Sequence, residues 1–272
     1  MSYRRVVKSL FAFTVLAVTW ATAHDMFLKP ENFFLKPGDR VLVRLLNGTF
    51  IHSANSITRN RLVEVVVASP TAREQIDTTR WSSAGDTSSF VTTVGAEGTY
   101  VLATSTKASL IELDAKDFNA YLVEDGLPDP LEERRKNGEL EKDARERYSK
   151  HVKAIVQVGA TRTANYSVAF GHPAEIVPLS NPYDLKPGQS LRVRLLVDGK
   201  PVANQYTLFG GTSASGAKIA EQSARSNQSG EVSVPVSAAG VWYIKFIRMA
   251  KLTGDPAADY ESKWSTLTFA AK

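Results

Sequence analysis

The sequence predicts a mainly β protein made of two immunoglobulin-like β-sandwich domains, with a helical insertion in the first domain. The prediction depends on short β-favouring runs bounded by turn residues, on two pairs of segments that repeat in the same order, and on one charged stretch without strand pattern. A chain of 272 residues is long enough for two domains of ordinary size. The predicted domains span 24–170 and 171–272, and the insertion spans 112–150.

The chain begins with the pattern of a secretory signal peptide, which we assign to residues 1–23. A basic start precedes an uncharged, mostly apolar run, and the Ala-Thr-Ala that follows fits a small-x-small cleavage site. The apolar run is shorter than the roughly 20 residues that a membrane span needs. We therefore expect cleavage after Ala23, a mature chain that begins at His24, and a periplasmic or secreted location.

Charge and cysteine content exclude several classes of function. The formal net charge is +5, and removal of the three positive charges of the leader leaves +2 for the mature chain. No stretch combines dense basic charge with interleaved aromatic residues, so we expect no nucleic-acid partner. The chain has no cysteine, which excludes disulfides, thiolate metal sites and cysteine nucleophiles.

Two pairs of segments indicate an internal repeat. "LKPGDRVLVRLLNG" at 35–48 resembles "LKPGQSLRVRLLVDG" at 185–199, and "GAEGTYVLATS" at 95–105 resembles "SAAGVWYIKFI" at 237–247. Each member of the first pair has a Lys-Pro-Gly turn followed by a β-favouring run. Because both pairs occur in the same order, duplication of one sandwich explains them better than chance similarity of strands.

The stretch 112–150 breaks the strand pattern. Asp114 is a candidate N-cap, and Phe118, Tyr121 and Leu122 follow at helical spacing. "DPLEERRKNG" and "ELEKDARERYSKH" are charged and helix-prone, with Gly138 between them. We expect these helices to cover an edge or an open end of the first domain.

Five blocks of the mature chain together carry a family resemblance. They are "AHDMFLKPENFFLKPGD", "FNAYLVEDGL", "RERYSKHVKAIVQVG", "HPAEIVPLSNPYDLKPGQSLRVRLLVDGKPV" and "KWSTLTF", and they extend from His24 to Phe269. In this order they resemble the DUF4198 family of exported bacterial proteins. The resemblance implies a link to nickel and cobalt uptake, with metal-transport membrane components as partners. It carries over the N-terminal His-Asp. Where family members often have a histidine in the "WYIKFIRM" region, this chain has Arg248 and Met249.

An N-terminal His24 would offer a metal two nitrogen donors, the free amine and the imidazole. This pair suits nickel, copper(II) or zinc, and an amine with a pKa of about 7.7–8.0 gives up its proton readily to a metal. His52, in a loop after the first repeated strand, and His151, at the start of a later strand, are the candidates for a second ligand. Asp25 could add a carboxylate, although neighbouring strand residues usually face opposite ways, and Met26 could add a soft sulfur for copper(I).

Other conspicuous side chains have structural interpretations. His172 precedes a proline at the predicted domain boundary, where we expect it to form an interdomain hydrogen bond. Trp242 and Trp264 occupy strand positions and are expected in the core.

The functional prediction is a non-enzymatic periplasmic binding protein that handles nickel, cobalt or copper through His24 as an accessory to uptake. No H-E-x-x-H, G-x-S-x-G or phosphate-loop motif is present, so the sequence favours binding over catalysis. One alternative is a sandwich module that binds a polymer or a protein. Another is a copper-dependent polysaccharide oxygenase, which an N-terminal histidine on an immunoglobulin-like core resembles and which needs a second histidine near His24. The sequence leaves the oligomeric state open.

Overall fold

The computed structural model describes residues 24–186 and 188–272. These residues are mainly β-strand, which confirms the predicted fold class at that level. No helix in these two ranges is long and apolar enough to span a bilayer. The predicted signal peptide, residues 1–23, lies outside the described part of the chain, so its cleavage stays a prediction.

The first half of the chain contributes ten strands and both α-helices of the described residues. They are β1 (Asp25–Pro30), β2 (Phe34–Leu35), β3 (Arg40–Gly48), β4 (Leu62–Ala68), β5 (Arg73–Gln75), β6 (Trp81–Ala84), β7 (Thr87–Thr93), β8 (Gly98–Thr106), β9 (Ser109–Leu113), α1 (Ala115–Glu124), α2 (Pro128–Lys136) and β10 (Ala144–Val158). The second half contributes strands alone apart from short 3-10 turns. They are β11 (Ala174–Pro178), β12 (Ser190–Val197), β13 (Lys200–Pro201), β14 (Tyr206–Ser213), β15 (Lys218–Arg225), β16 (Glu231–Pro235), β17 (Gly240–Lys251) and β18 (Tyr260–Ala271).

The described strands form three sheets, one of which runs through both halves of the chain. The first sheet has the order β1-β3-β7-β6, and the third has the order β11-β12-β13 with β16 also paired to β12. The long sheet has the order β15-β14-β17-β18-β10-β8-β4-β5, with β2 and β9 also paired to β10. Parallel pairing of β10 with β18, from Glu146 opposite Tyr260 to Ala154 opposite Thr268, joins the two halves. The strands of the two predicted domains therefore share one continuous sheet.

The long sheet is covered on both faces, which explains why β8 and the second half of β10 are buried throughout. One core lies between the first sheet and one face of the long sheet, and it contains Leu45, Phe90 and Val156. The other core lies between the third sheet and the opposite face, and it contains Val193 and Trp242. Each such fully buried side chain contributes about 1.5–3 kcal/mol.

The two copies of each repeated sequence motif have similar glycine conformations. Gly38 and Gly188, at the two Lys-Pro-Gly turns, have φ values of 88° and 86°. Their N–H groups donate to carbonyls at 2.9 and 2.8 Å. Gly98 and Gly240, at the start of the second repeated strands, have φ values of 149° and 150°. Glycine adopts these conformations without the strain that a Cβ would cause.

The first predicted helix is confirmed in its details. The side chain of Asp114 accepts a hydrogen bond from the Asp117 N–H at 2.7 Å and so caps α1. Phe118, Tyr121 and Leu122 are buried on one face of the helix, as their spacing predicts. The C-terminal end of α1 places Glu124, and Asp125 directly after it, near residues of β1 and β17.

The prediction of a further helix over 139–151 is wrong, because residues 139–143 form turns and the segment from residue 144 is the start of β10. Its residues alternate between the two faces: Ala144 and Glu146 are buried, whereas Arg145 pairs with Asp259 on the outside. β9 pairs with β10 on one side and β18 on the other. These ladders override the helix propensity of a segment rich in Arg, Glu and Lys.

We expected the two helices to cover an edge or an open end of the first domain, but they pack on residues of both halves of the chain. They pack on the long sheet where β10, β18 and β17 lie side by side, against Ile247, Tyr260 and Trp264. The Trp264 indole stacks on the Tyr121 ring at 5.9 Å between centroids, so the predicted core position of Trp264 is confirmed. The helices and the first sheet therefore lie on the same face of the long sheet.

Candidate functional site

A cleft of about 590 Å³ opens on this face of the long sheet, beside the start of β1. Its walls come from β1, the loop after β3, the end of α1, and strands β14, β15 and β17. The lining residues are His24, Asp25, Phe27, Gly48, Thr49, Phe50, Ile51, Glu124, Asp125, Gly211, Thr212, Gly216, Lys218, Ile219, Glu221, Tyr243 and Lys245.

The alternation of β1 sends every second side chain into the cleft. Met26 and Leu28 are buried in the first core, whereas Asp25 and Phe27 line the cleft. His24 precedes the strand, so the alternation does not determine its direction, and it lines the cleft as well. His24 and Asp25 therefore both line the cleft, although they are neighbours in the chain.

A tight loop after β3 forms one wall of the cleft. A Cβ on Gly48 would lie 2.5 Å from the carbonyl oxygen of His52, so only glycine lets the chain fold back at this point. The Thr49 N–H donates to the same carbonyl at 2.8 Å and closes the loop. This fold brings Phe50 and Ile51 to the cleft, and Ile51 stays 73% exposed at its rim.

Lys245 is the central cation of the cleft. Its Nζ donates to Oδ2 of Asp25 at 2.5 Å and lies 3.8 Å from Glu221. The Tyr243 hydroxyl donates to Glu221 at 2.7 Å. Burial by itself lowers the pKa of Lys245, but the negative charges of Asp25, Glu221 and Asp125 outweigh burial and raise the pKa. The second oxygen of Asp25, Oδ1, is buried and has no hydrogen-bond partner among the described residues.

Negative charge exceeds positive charge in the lining. Four carboxylates, those of Asp25, Glu124, Asp125 and Glu221, share the cleft with two lysines. Burial, and next the negative charge of Asp25, raise the pKa of Asp125 well above its ordinary value. Since like charges oppose ionisation of Asp125, an added positive charge in the cleft would be stabilised.

Lys150, on β10 of the long sheet, forms hydrogen bonds that hold the start of β1 in place. Its Nζ donates to the carbonyl of His24 and, at 3.0 Å, to Oδ1 of Asn47. The side chain is only 6% exposed. Burial lowers the pKa of Lys150 to about 8, although Asp25 and Asp125 oppose this shift. The position of His24 at the cleft therefore depends on a buried ammonium group.

Three aromatic rings form the apolar wall of the cleft. Phe27 packs edge-on against Phe50 and Tyr243, with centroid distances of 5.2 and 5.3 Å. Phe50 and Tyr243 lie 4.7 Å apart. Lys29 places its Nζ 4.6 Å from the centroid of the Phe50 ring, so the outer side of this wall already accepts a cation.

The structure places His24, His52 and His151 in three different surroundings. His24 lines the cleft. His52 lies on the exposed loop after β3, and its backbone takes part in the loop hydrogen bonds with Thr49. His151 follows Lys150 on β10 and therefore projects from the opposite face of the long sheet. The three predicted ligands are not brought together in one site.

His151 lies in a buried polar network. Its Nδ1 is 2.8 Å from Oγ of Ser105, and its Nε2 is 3.0 Å from Oγ of Ser149. Burial, and next the positive charge of His172, lower the pKa of His151 to about 3. His172 lies 2.6 Å from Oε1 of Glu64, on β4, which confirms its predicted hydrogen bond between the two halves of the chain.

The described residues contain no group of three or more His, Cys, Asp or Glu side chains arranged to hold a metal ion. Four further residues of the cleft were not predicted from the sequence: Asp125, Glu221, Tyr243 and Lys245. One signal was available: Tyr243 and Lys245 lie two positions apart in the first part of β17, which is otherwise apolar as far as Ile247, and a lysine there is expected to have a buried carboxylate partner.

Comparison with known proteins identifies a family but no curated relative. Residues 21–250 match the family model described as "Domain of unknown function (DUF4198)". A comparison with curated proteins gives no match.

Matches to solved structures are distant. A DUF4785 family protein from Legionella pneumophila is 10% identical, with a TM-score of 0.24, and the match covers 80% of this chain and 50% of that one. The trypsin-activated alpha-2-macroglobulin of Escherichia coli is 11% identical, with a TM-score of 0.24, 92% of this chain and 16% of that chain covered. The Escherichia coli adhesin FdeC is 14% identical, with a TM-score of 0.24 and coverage of 92% and 63%. This chain thus spans half or less of the length of the first two, and TM-scores this low support no inference about function.

Proposed function

The chain belongs to the DUF4198 family, and we propose that it is a non-enzymatic binding protein that holds a cation in the cleft at His24. A nickel, cobalt or copper ion is the candidate that an N-terminal histidine favours. The observation that carries the proposal is the presence of His24 and four carboxylates in one cleft.

Electrostatics support a cationic ligand. The carboxylates outnumber the lysines of the lining, and burial together with the negative charge of Asp25 raises the pKa of Asp125. A bound cation would offset the charge of Asp25 and would favour the ionised form of Asp125. The buried Oδ1 of Asp25 adds an acceptor, because Lys245 occupies only Oδ2 of that carboxylate.

The donor set for a metal would come mainly from the chain terminus. Side chains alone provide no three-ligand group within the described ranges. Cleavage before His24 would create a free amine next to the imidazole, which makes two nitrogen donors on one residue. The carboxylate of Asp25 would complete a set of three. On this proposal the protein matures in the periplasm and passes its metal to membrane transport components.

A small organic cation is a second candidate for the same cleft. The rings of Phe27, Phe50 and Tyr243 make one wall, and aromatic faces bind ammonium groups when carboxylates lie nearby. The oxygenase alternative has less support, because His151 lies on the opposite face of the long sheet from His24 and cannot serve as the second histidine of a shared site without refolding.

A comparison of chain termini tests the proposal. We expect the chain that begins at His24 to bind copper(II) or nickel(II) at least tenfold more tightly, by calorimetric titration, than a chain with one extra glycine before His24. The extra residue converts the amine into a peptide nitrogen, which is a poor ligand, and leaves the imidazole unchanged. Asp25→Asn should also weaken binding, whereas Asp86→Asn, which changes an exposed carboxylate outside the cleft, should not.

The outcomes separate the candidates. Equal affinity of the native and extended chains would rule out the terminal amine as a ligand. An organic ammonium ion such as choline tests the second candidate, a small organic cation. Saturable binding that is lost in Asp25→Asn and retained in the extended chain would assign the cleft to such a cation. Absence of binding for both kinds of cation would refute the proposed function.

A further inference from the structure

A second pocket, of about 280 Å³, opens at one end of the first core, between the first sheet and the long sheet. Its chemistry differs from that of the cleft at His24. Its lining contains two cationic side chains, those of Arg61 and Lys150, and six neutral polar side chains. None of its lining residues is a carboxylate. The pocket is therefore positive where the cleft is negative.

Lys150 brings a buried charge to this pocket. Its side chain is 6% exposed, and two of its three N–H donors are used by the His24 carbonyl and by Oδ1 of Asn47. The ammonium lies 5.1 Å from the Trp264 ring and 5.5 Å from the Tyr148 ring, so its other contacts are mostly apolar. A buried ammonium with a remaining donor favours an additional acceptor in the pocket.

Arg61 brings the second charge from the 3-10 turn before β4. Its Nη1 donates to Oγ of Ser109, a neutral group, and no acid in the pocket lining faces the guanidinium. A guanidinium presents five N–H donors in a planar arrangement that matches the two oxygens of a carboxylate or a phosphate. The neutral polar residues Asn55, Ser56 and Thr58 line the same space.

The two cations act on each other. Arg61 and Lys150 both line this one pocket, and no carboxylate lines it. An anion placed between the two positive charges would be attracted to both and would reduce the repulsion between them.

We propose that this pocket binds a small oxyanion, a carboxylate or a phosphate group, between Arg61 and Lys150. The volume of about 280 Å³ corresponds to roughly nine water molecules at about 30 Å³ each, which suits inorganic phosphate or a short organic acid. The site is separate from the cation cleft and takes a ligand of the opposite charge. The two linings have no residue in common, although both use residues of β1 and β3.

Calorimetric titration at constant ionic strength tests this site with inorganic phosphate in one arm and succinate in the other. We expect saturable binding of at least one probe, weakened at least tenfold in Arg61→Gln. The matched control is Arg59→Gln, which removes the same charge from the same turn but from a residue outside the pocket lining. Arg61→Lys keeps the charge and loses the planar donors, so it should show an intermediate loss.

Amide chemical shifts locate the bound probe. We expect phosphate or succinate to shift the Ser56 and Thr106 amides of this pocket and to leave those of Thr212 and Ile219 in the cleft unchanged. If only phosphate binds, the ligand is a phosphate group; if only succinate binds, it is a carboxylate. Equal weakening in Arg59→Gln and Arg61→Gln would show a diffuse charge effect and would overturn the proposal, as would the absence of saturable binding by both probes.

Discussion

Replacement of His151 by glutamine should remove a large part of the protein's sensitivity to acid. His151 is 1% exposed, and its ring nitrogens contact Ser105 and Ser149. Burial is the main cause that lowers its pKa to about 3, and the positive charges of His172 and Lys263 lower it further. The folded protein therefore holds this imidazole neutral at pH values where an unfolded chain binds a proton.

The sign and the size of the effect follow from linkage. The pKa of His151 is about 3 in the folded protein against 6.5 in an unfolded chain, so the unfolded state binds more protons between these values. The contribution of His151 to stability is fully present above pH 6.5 and is lost as the pH falls toward 3. At about 1.36 kcal/mol per pH unit, lowering the pH from 8 to 5 should remove about 2 kcal/mol through this group alone.

Urea unfolding at pH 8 and pH 5 measures this quantity within each variant, so a general loss of stability in the variant cancels. We expect the free energy of unfolding to fall by about 2 kcal/mol less in His151→Gln than in the unsubstituted protein. His52→Gln, on the exposed loop, should behave as the unsubstituted protein does. An equal fall in His151→Gln and in the unsubstituted protein would refute the account of a buried neutral imidazole.

Urea unfolding also tests three further predictions, on the assigned core, a buried ion pair and a close backbone approach. Trp242→Ala should lower the free energy of unfolding by about 3–5 kcal/mol, because this side chain is fully buried. The control Val63→Ala, at a residue that is 60% exposed, should lower it by less than about 0.5 kcal/mol. Similar losses in the two variants would contradict the assigned core. Lys153→Met should cost about 3–5 kcal/mol, because it leaves Glu175, 2.5 Å away and equally buried, without its counter-charge. Addition of Glu175→Gln should recover part of that loss, and a purely additive double variant would count against the buried pair. Gly211→Ala should lower the free energy of unfolding by about 1–3 kcal/mol, because the new Cβ would lie 2.2 Å from a backbone carbonyl oxygen of β17. An unchanged free energy of unfolding would contradict this close approach.

Local features of the fold could be predicted well because neighbouring residues determine them. The Lys-Pro-Gly turns appear in both halves with nearly the same φ at Gly38 and Gly188. The N-cap of α1 at Asp114 is where a short acidic side chain before an amphipathic segment predicts it. The segment from residue 144 was assigned to a helix because its composition favours one, and the pairing partners that make it a strand lie far away in the chain.

The candidate site shows the same limit. His24 and Asp25 could be named from the chain start, since the predicted cleavage and the family resemblance both point there. Asp125, Glu221 and Lys245 come from three separate elements and meet only when α1, β15 and β17 are placed around β1. Sequence spacing carries no information about such a meeting.

The sequence by itself determined the strand-rich composition, the turns, the first helix and the covering of apolar strands by other elements. These features depend on propensity, hydrophobic period and backbone conformation, which act over a few residues. Only the tertiary structure decided that β10 and β18 pair in parallel, that the two halves share one long sheet, and that Lys150 and His151 face opposite sides of it. The physical reason is that the surroundings of a strand residue depend on the register of its strand pairing and on the elements that cover each face of the sheet. For β10, these include contacts with residues more than a hundred positions away in the chain.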